Sequence, residues 1–277
     1  MKVFETRLWW GLLFCCASLC LGQTKAPVLT NVAPAPSARF PASWYPKDSD
    51  VGLTEAPQTD APYTATLVTR VEFLNPKTGE RKSLSQSTLQ ARDGTGRTRE
   101  EQSMPRPDGH GGTAEAREVT VSDPVSHCSF RSMEPWEGPG EPTAMVSCMS
   151  RTVHYSGQNM WADAMVNEPK EERSVNEVSR SEPLGRRMFG DPEASGMRRT
   201  RSQTNAQTGK VATLEIEIWY SAELKELLAM TFPVADTGAA VGPLPGFELT
   251  NVRRGEPDAA LFDPPNGYRI VLEHPVE

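Results

Sequence analysis

The sequence predicts a mainly β protein: an antiparallel sheet accompanied by one or two short helices. Apolar residues alternate with polar ones in run after run, and Gly, Pro, Asn and Asp clusters separate the runs at hairpin spacing. Only one interval carries a helical period.

At the N-terminus, Lys2 and Arg7 precede an uncharged apolar run from Leu8 to Leu21, followed by Gly22 and Gln23. This is the layout of a secretory signal peptide over residues 1–22. The run is shorter than the roughly 20 residues a membrane-spanning helix needs. A lipobox requires a small residue before its cysteine, whereas Cys15 precedes Cys16 and Leu19 precedes Cys20. The expectation is a periplasmic or secreted protein with no stable membrane anchor after cleavage. Residues 23–62 contain Pro27, Pro34, Pro36, Pro41, Pro46, Pro57 and Pro62 without a sustained apolar period, and read as a flexible linker. Residues 63–277 are then the antiparallel β domain.

Within that domain, Tyr63, Ala65, Leu67, Thr69, Val71 and Phe73 alternate with Thr64, Thr66, Arg70 and Glu72, a strand with one wet face. The turn Asn75–Gly79 leads to a strand over Arg81–Arg92, and Asp93-Gly-Thr-Gly96 turns it into Arg97–Met104. Further strands are expected at Glu118–Ser122, around Cys128 and Phe130, and over Thr143–Tyr155. Met160, Trp161, Ala164 and Met165 fall at helical spacing within Asn159–Ser181, an interval that otherwise reads as charged loop. Leu214, Ile216, Ile218 and Tyr220 alternate with Glu215, Glu217 and Trp219 as another strand. Leu224–Phe232 and Phe247–Arg254 read as strands, Glu256–Phe262 as a short helical turn and Tyr268–Leu272 as an edge strand.

Removal of the leader leaves Cys128 and Cys148, an even number suited to one disulfide in an oxidising compartment; two free buried thiols are the alternative. The chain carries 29 basic and 36 acidic side chains, and loss of Lys2, Arg7 and Glu5 makes it more acidic still. That balance disfavours nucleic acid as a partner. Arg186, Arg187, Arg198, Arg199 and Arg201 form a locally basic stretch, read as a solvated strand face or loop before an anion site.

Several phrases resemble a set of uncharacterised secreted proteins of acidobacterial type. They are Tyr63–Thr69, Ala91–Glu100, Val121–Val125, Glu217–Leu224 and Glu256–Tyr268. The last two also resemble elements of the outer-membrane lipoprotein-sorting and carrier superfamily. That resemblance implies a strongly curved half-barrel draped over helices, with an apolar group held in its concave face. It carries over no catalytic residue. The proline-rich segment and the cysteine pair depart from the carrier pattern. Arg92, Arg97, Arg99 and Glu100 are expected to form cross-strand ion pairs, and Leu261, Phe262 and Tyr268 to plug one end of the barrel.

Catalytic and cofactor motifs are lacking. His110, His127, His154 and His274 have no metal-ligand spacing, and there is no nucleophile elbow, P-loop or dinucleotide fingerprint. Neither a metal site nor a cofactor is expected. The expectation is a non-enzymatic binding or carrier protein for an apolar ligand such as a lipid or lipoprotein acyl chain. Its alternative is an envelope interaction or sensor module whose sheet edge or linker docks on another envelope protein.

Overall fold

The computed structural model describes residues 29–31, 51–55, 57–74, 78, 80–107, 112–135, 140–148, 153–156, 160–236 and 245–273. The segment predicted as a signal peptide, residues 1–22, and most of the predicted linker lie outside them, as do His110 and His274. Two short strands, β1 (Leu29–Asn31) and β2 (Val51–Glu55), fall within the proline-rich segment. The first long run comprises β3 (Tyr63–Leu74), β4 (Arg81–Arg92), β5 (Thr98–Pro107), β6 (Thr113–Asp123), β7 (Cys128–Glu134) and β8 (Thr143–Cys148). Next come β9 (Val153–Ser156) and a short helix α1 (Met160–Ala164). The second run comprises β10 (Lys170–Arg173), β11 (Glu177–Met188), β12 (Glu193–Thr204), β13 (Val211–Ser221), β14 (Glu226–Asp236) and β15 (Pro245–Arg254). A 3-10 turn at Ala259–Phe262 leads to the last strand, β16 (Arg269–Leu272).

Thirteen of these strands form one open sheet, in the order β10-β11-β12-β13-β14-β15-β3-β4-β5-β6-β7-β8-β16. Neighbours are antiparallel except β16, which lies parallel to β8. β1, β9 and β2 form a separate three-stranded sheet. The two meanders are joined at the middle of the large sheet, where β15 returns to pair with β3 and sets Leu249 opposite Leu67. From there the chain crosses the whole β3–β8 meander before β16 adds to its far edge.

Pairing registers show that the core changes face along the sheet. Across β15, β14, β13 and β12, one row runs Phe247–Met230–Ile218–Met197, on the same face as Leu67 and Tyr63. Trp161, Ala164, Met165 and Val166, from α1 and the residues after it, pack on this apolar surface. Across the other meander the apolar row is Ala91–Arg99–Val121–Phe130–Val146, which shares the opposite face with Thr64. The adjacent row, on the Tyr63 face, runs Arg92–Thr98–Ser122–Ser129–Ser147 and is polar. Phe262 from the crossing segment covers the Thr64-face core and is itself fully buried. In the β3–β8 half the face opposite this core is largely wet, whereas in the other half Trp219 and Ala229, on the face opposite Ile218, pack into a further buried cluster with Phe189 and Leu228.

Local chemistry explains the joints. In the β4–β5 turn the Asp93 carboxylate accepts hydrogen bonds from the backbone N–H groups of Thr95 and Arg97, and Gly96 takes a positive φ of 88°. Burial opposes ionisation of Asp93, but hydrogen bonds from Arg97 and Thr95 outweigh it and hold the carboxyl below its ordinary range. At the centre, Arg92 is 2 % exposed. It donates to the carbonyls of Ala61 and Leu224 and to the Glu226 carboxylate, and its guanidinium lies over the Tyr63 ring. Burial, then the Glu226 charge, pushes the Tyr63 hydroxyl above its usual value.

Several sequence expectations change. Ala61, placed in the linker by sequence, is buried and holds Arg92, so packing begins before Tyr63. Thr143–Tyr155 is not one strand: β8 and β9 lie in different sheets. The charged interval after α1 contains β10 and the start of β11, which pair by a backbone ladder with Glu171 reaching across to Arg180, and not through an apolar stripe. Glu100 accepts a hydrogen bond from Gln90, while Arg97 pairs with Asp93, Arg99 with Glu101 and Arg92 with Glu226. Leu261 is exposed, so Phe262 alone of that pair enters the core; Tyr268 donates its hydroxyl to the Met133 carbonyl and ties the segment to β7.

Candidate functional groove

β4 pairs with β3 along its full length, Arg81 to Arg92. β5 likewise pairs with β6 from Thr98 to Pro107. Between them, however, β4 and β5 share only five rungs, from Arg92↔Thr98 to Thr88↔Gln102. Beyond Thr88 the two strands separate, and the sheet splits. The split holds a shallow groove of about 430 Å³ lined by Ser85, Gln86, Ser87, Leu89, Glu101 and Ser103.

Composition accounts for the split. Residues 82–87 are all exposed, and residues 81–87 bring serine, glutamine and basic residues and a single apolar side chain, Leu84. An apolar row that would favour a ladder with β5 is lacking over this stretch. Pro105 and Pro107 on β5 have no backbone N–H to give to it. The result is a pair of strand edges inside the sheet whose backbone groups face solvent.

The lining is polar and its charge is neutralised. Burial opposes ionisation of Glu101, yet a hydrogen bond from Arg99 and the nearby Arg117 charge hold its carboxyl below the ordinary range. Arg117 continues to Glu134. Two leucines stand out: Leu84 is 65 % exposed and Leu89 is 54 % exposed, where a closed and covered sheet would bury them. Arg70 on β3, Lys82 on β4 and Arg106 on β5 flank the split and have no ion-pair partner among the described residues.

The residues singled out by sequence lie elsewhere. Cys128 and Cys148 stand opposite each other on β7 and β8 and form a disulfide with their Cα atoms 4.0 Å apart. His127 sits in the turn before β7 with a positive φ of 54°, and His154 belongs to β9 in the small sheet. No group of three or more His, Cys, Asp or Glu residues among the described residues is arranged to hold a metal ion. The basic stretch is absorbed by pairing. Arg186 meets Glu193, Arg187 meets Glu248, Arg198 meets Glu182, Glu215 and Glu217, and Arg201 meets Glu177, while Arg199 donates to Ser179. Glu215 and Glu217 thus share one arginine on a wet face. No helix among the described residues is long and apolar enough to cross a membrane.

The groove residues gave no signal as a site in the sequence, because a serine-rich strand looks like any wet strand. The prolines at 105 and 107 were the available hint. Comparison with protein-family models gives no match, and comparison with curated proteins gives none either.

Proposed function

We propose that this chain is an exported, non-enzymatic interaction module of the cell envelope, acting in the periplasm or outside the cell, that holds a protein partner at its split sheet. The observation that carries the proposal is the groove between β4 and β5, with a polar lining and two unpaired strand edges. A strand edge offers a partner main-chain hydrogen bonds in register, the recognition mode of β-augmentation. An acyl chain gains about 25 cal/mol per Å² only from apolar surface. Among the described residues of the lining Leu89 is the sole apolar one, so the groove suits a peptide better than a lipid.

Carriage of a lipid or acyl chain in a strongly curved half-barrel is the second reading. What favours it is the apolar row Phe247–Met230–Ile218–Met197, covered among the described residues by the short α1 and the residues just after it. A photo-cross-linking amino acid in place of Leu89, in protein exported by its own cell, separates the two. The interaction reading expects a discrete protein adduct formed on irradiation. Absence of an adduct, with an acyl lipid co-purifying in near-equimolar amount, overturns it in favour of carriage.

A further inference from the structure

We infer that the occupant of the groove is an extended acidic peptide segment, added as a strand to the free edge of β4 over residues 81–87. This rests on the interaction reading and specifies its partner. β4 is the better edge because residues 81–87 contain no proline, whereas β5 presents Pro105 and Pro107 over the matching stretch. At about 3.3 Å per residue, a peptide of seven residues matches its length.

Charge and register set the peptide's character. On the Tyr63 face, register places Lys82 opposite Phe73 and Leu84 opposite Val71, and Arg106 opposite Ala114 on β6. Lys82 and Arg106 therefore flank the split from the same face, one on each strand. Neither has a partner among the described residues, whereas most arginines of β11 and β12 are paired. On the Thr64 face, Ser85, Ser87, Leu89 and Ser103 line the groove, with Glu101 held by Arg99 and Arg117. Glu115, opposite Pro105, lies on the other face, while Glu80, just before β4 and two residues from Lys82, is the one carboxylate that alternation places at the rim on the face of Lys82 and Arg106. A strand laid along β4 turns alternate side chains to the two faces. Carboxylates at every second position then meet Lys82 and Arg106, and small hydroxyl or aliphatic side chains meet the serines and Leu89. The chain as a whole is acidic, with net charge −7, so this basic rim runs against the general field and selects for acidic partners at close range.

The test uses the mature protein and a fluorescein-labelled peptide alternating glutamate and threonine, read by polarisation. A peptide alternating lysine and threonine is the charge control. A third peptide, the acidic one N-methylated on alternate residues, removes the donors of one edge. The expected result is saturable binding of the acidic peptide, weakened at least tenfold by the double substitution Lys82→Glu and Arg106→Glu and at least tenfold by N-methylation. Amide exchange in residues 81–87 slows on binding. Lack of saturable binding, equal binding of the lysine peptide, or equal binding of the N-methylated peptide overturns the inference. If the peptide fails while a protein adduct still forms from position 89, acidic strand addition falls and the interaction reading stands. If both fail, both fall.

Discussion

Phe262→Ala probes how the crossing segment holds the molecule together. The ring is fully buried against Val119, Val121, Phe130 and Val146, all in the β3–β8 half of the sheet, and the Arg97 guanidinium sits 4.9 Å from its centroid. Truncating a buried phenylalanine costs about 3–5 kcal/mol, the cavity contribution being larger where the walls cannot collapse. Here the walls are strands locked in register on both sides, so the upper part of that range applies, about 4 kcal/mol. Within it, the lost guanidinium–ring contact accounts for roughly 0.5–1 kcal/mol. The loss should also appear locally, because Phe262 anchors the segment that delivers β16 to β8. Urea unfolding with the disulfide intact measures the global change. Hydrogen exchange at Arg269 and Glu273, whose amides donate to Pro142 and Val146, measures the local one. A destabilisation below about 1 kcal/mol, or unchanged exchange at both amides, refutes the claim that Phe262 is the keystone of that core.

Other perturbations follow from the same geometry. Replacing Cys128 and Cys148 by Ala should lower stability by about 3 kcal/mol in the chain-entropy account, measured by comparing urea midpoints with those of the oxidised parent. Arg92→Ala leaves the buried Ala61 and Leu224 carbonyls without their donor and should cost about 3 kcal/mol or more, visible as a drop in Tm; a neutral result contradicts the role given to that knot. Asp93 and Glu101 both have carboxyl groups depressed in the folded state, so the stability they contribute is complete above the ordinary values of 3.8 and 4.5 and is lost as pH falls through the depressed ones. A pH series of Tm should therefore decline below about pH 4. Asp93→Asn should flatten part of that acid limb, and an unchanged slope would contradict the assignment.

The hairpin turns and long strands were legible because each depends on local chemistry. Asp93-Gly-Thr-Gly96 specifies its own turn, and Leu214–Tyr220 announces a strand by alternation alone. What stayed hidden depends on distant pairing. Period two says that a strand has one apolar face, but not that the apolar face of β13 and that of β6 lie on opposite sides of one sheet. β10 and the first part of β11 escaped because Lys170–Arg173 has no apolar period; that hairpin is a backbone ladder between charged strands, with Glu171 reaching across to Arg180. The disulfide partners could be named from a count of two cysteines, whereas the split between β4 and β5 is a failure of pairing, which no pattern in either strand spells out.

Site-resolved amide exchange across β4 in the free protein tests the split directly. Closed pairing over residues 88–92 predicts slow exchange there, and the open edge predicts that alternate amides within residues 81–87, those pointing away from β3, exchange far faster. Uniform protection through residues 81–87, matched by protection of the non-proline amides within residues 103–107, would mean that the ladder closes and the groove does not exist.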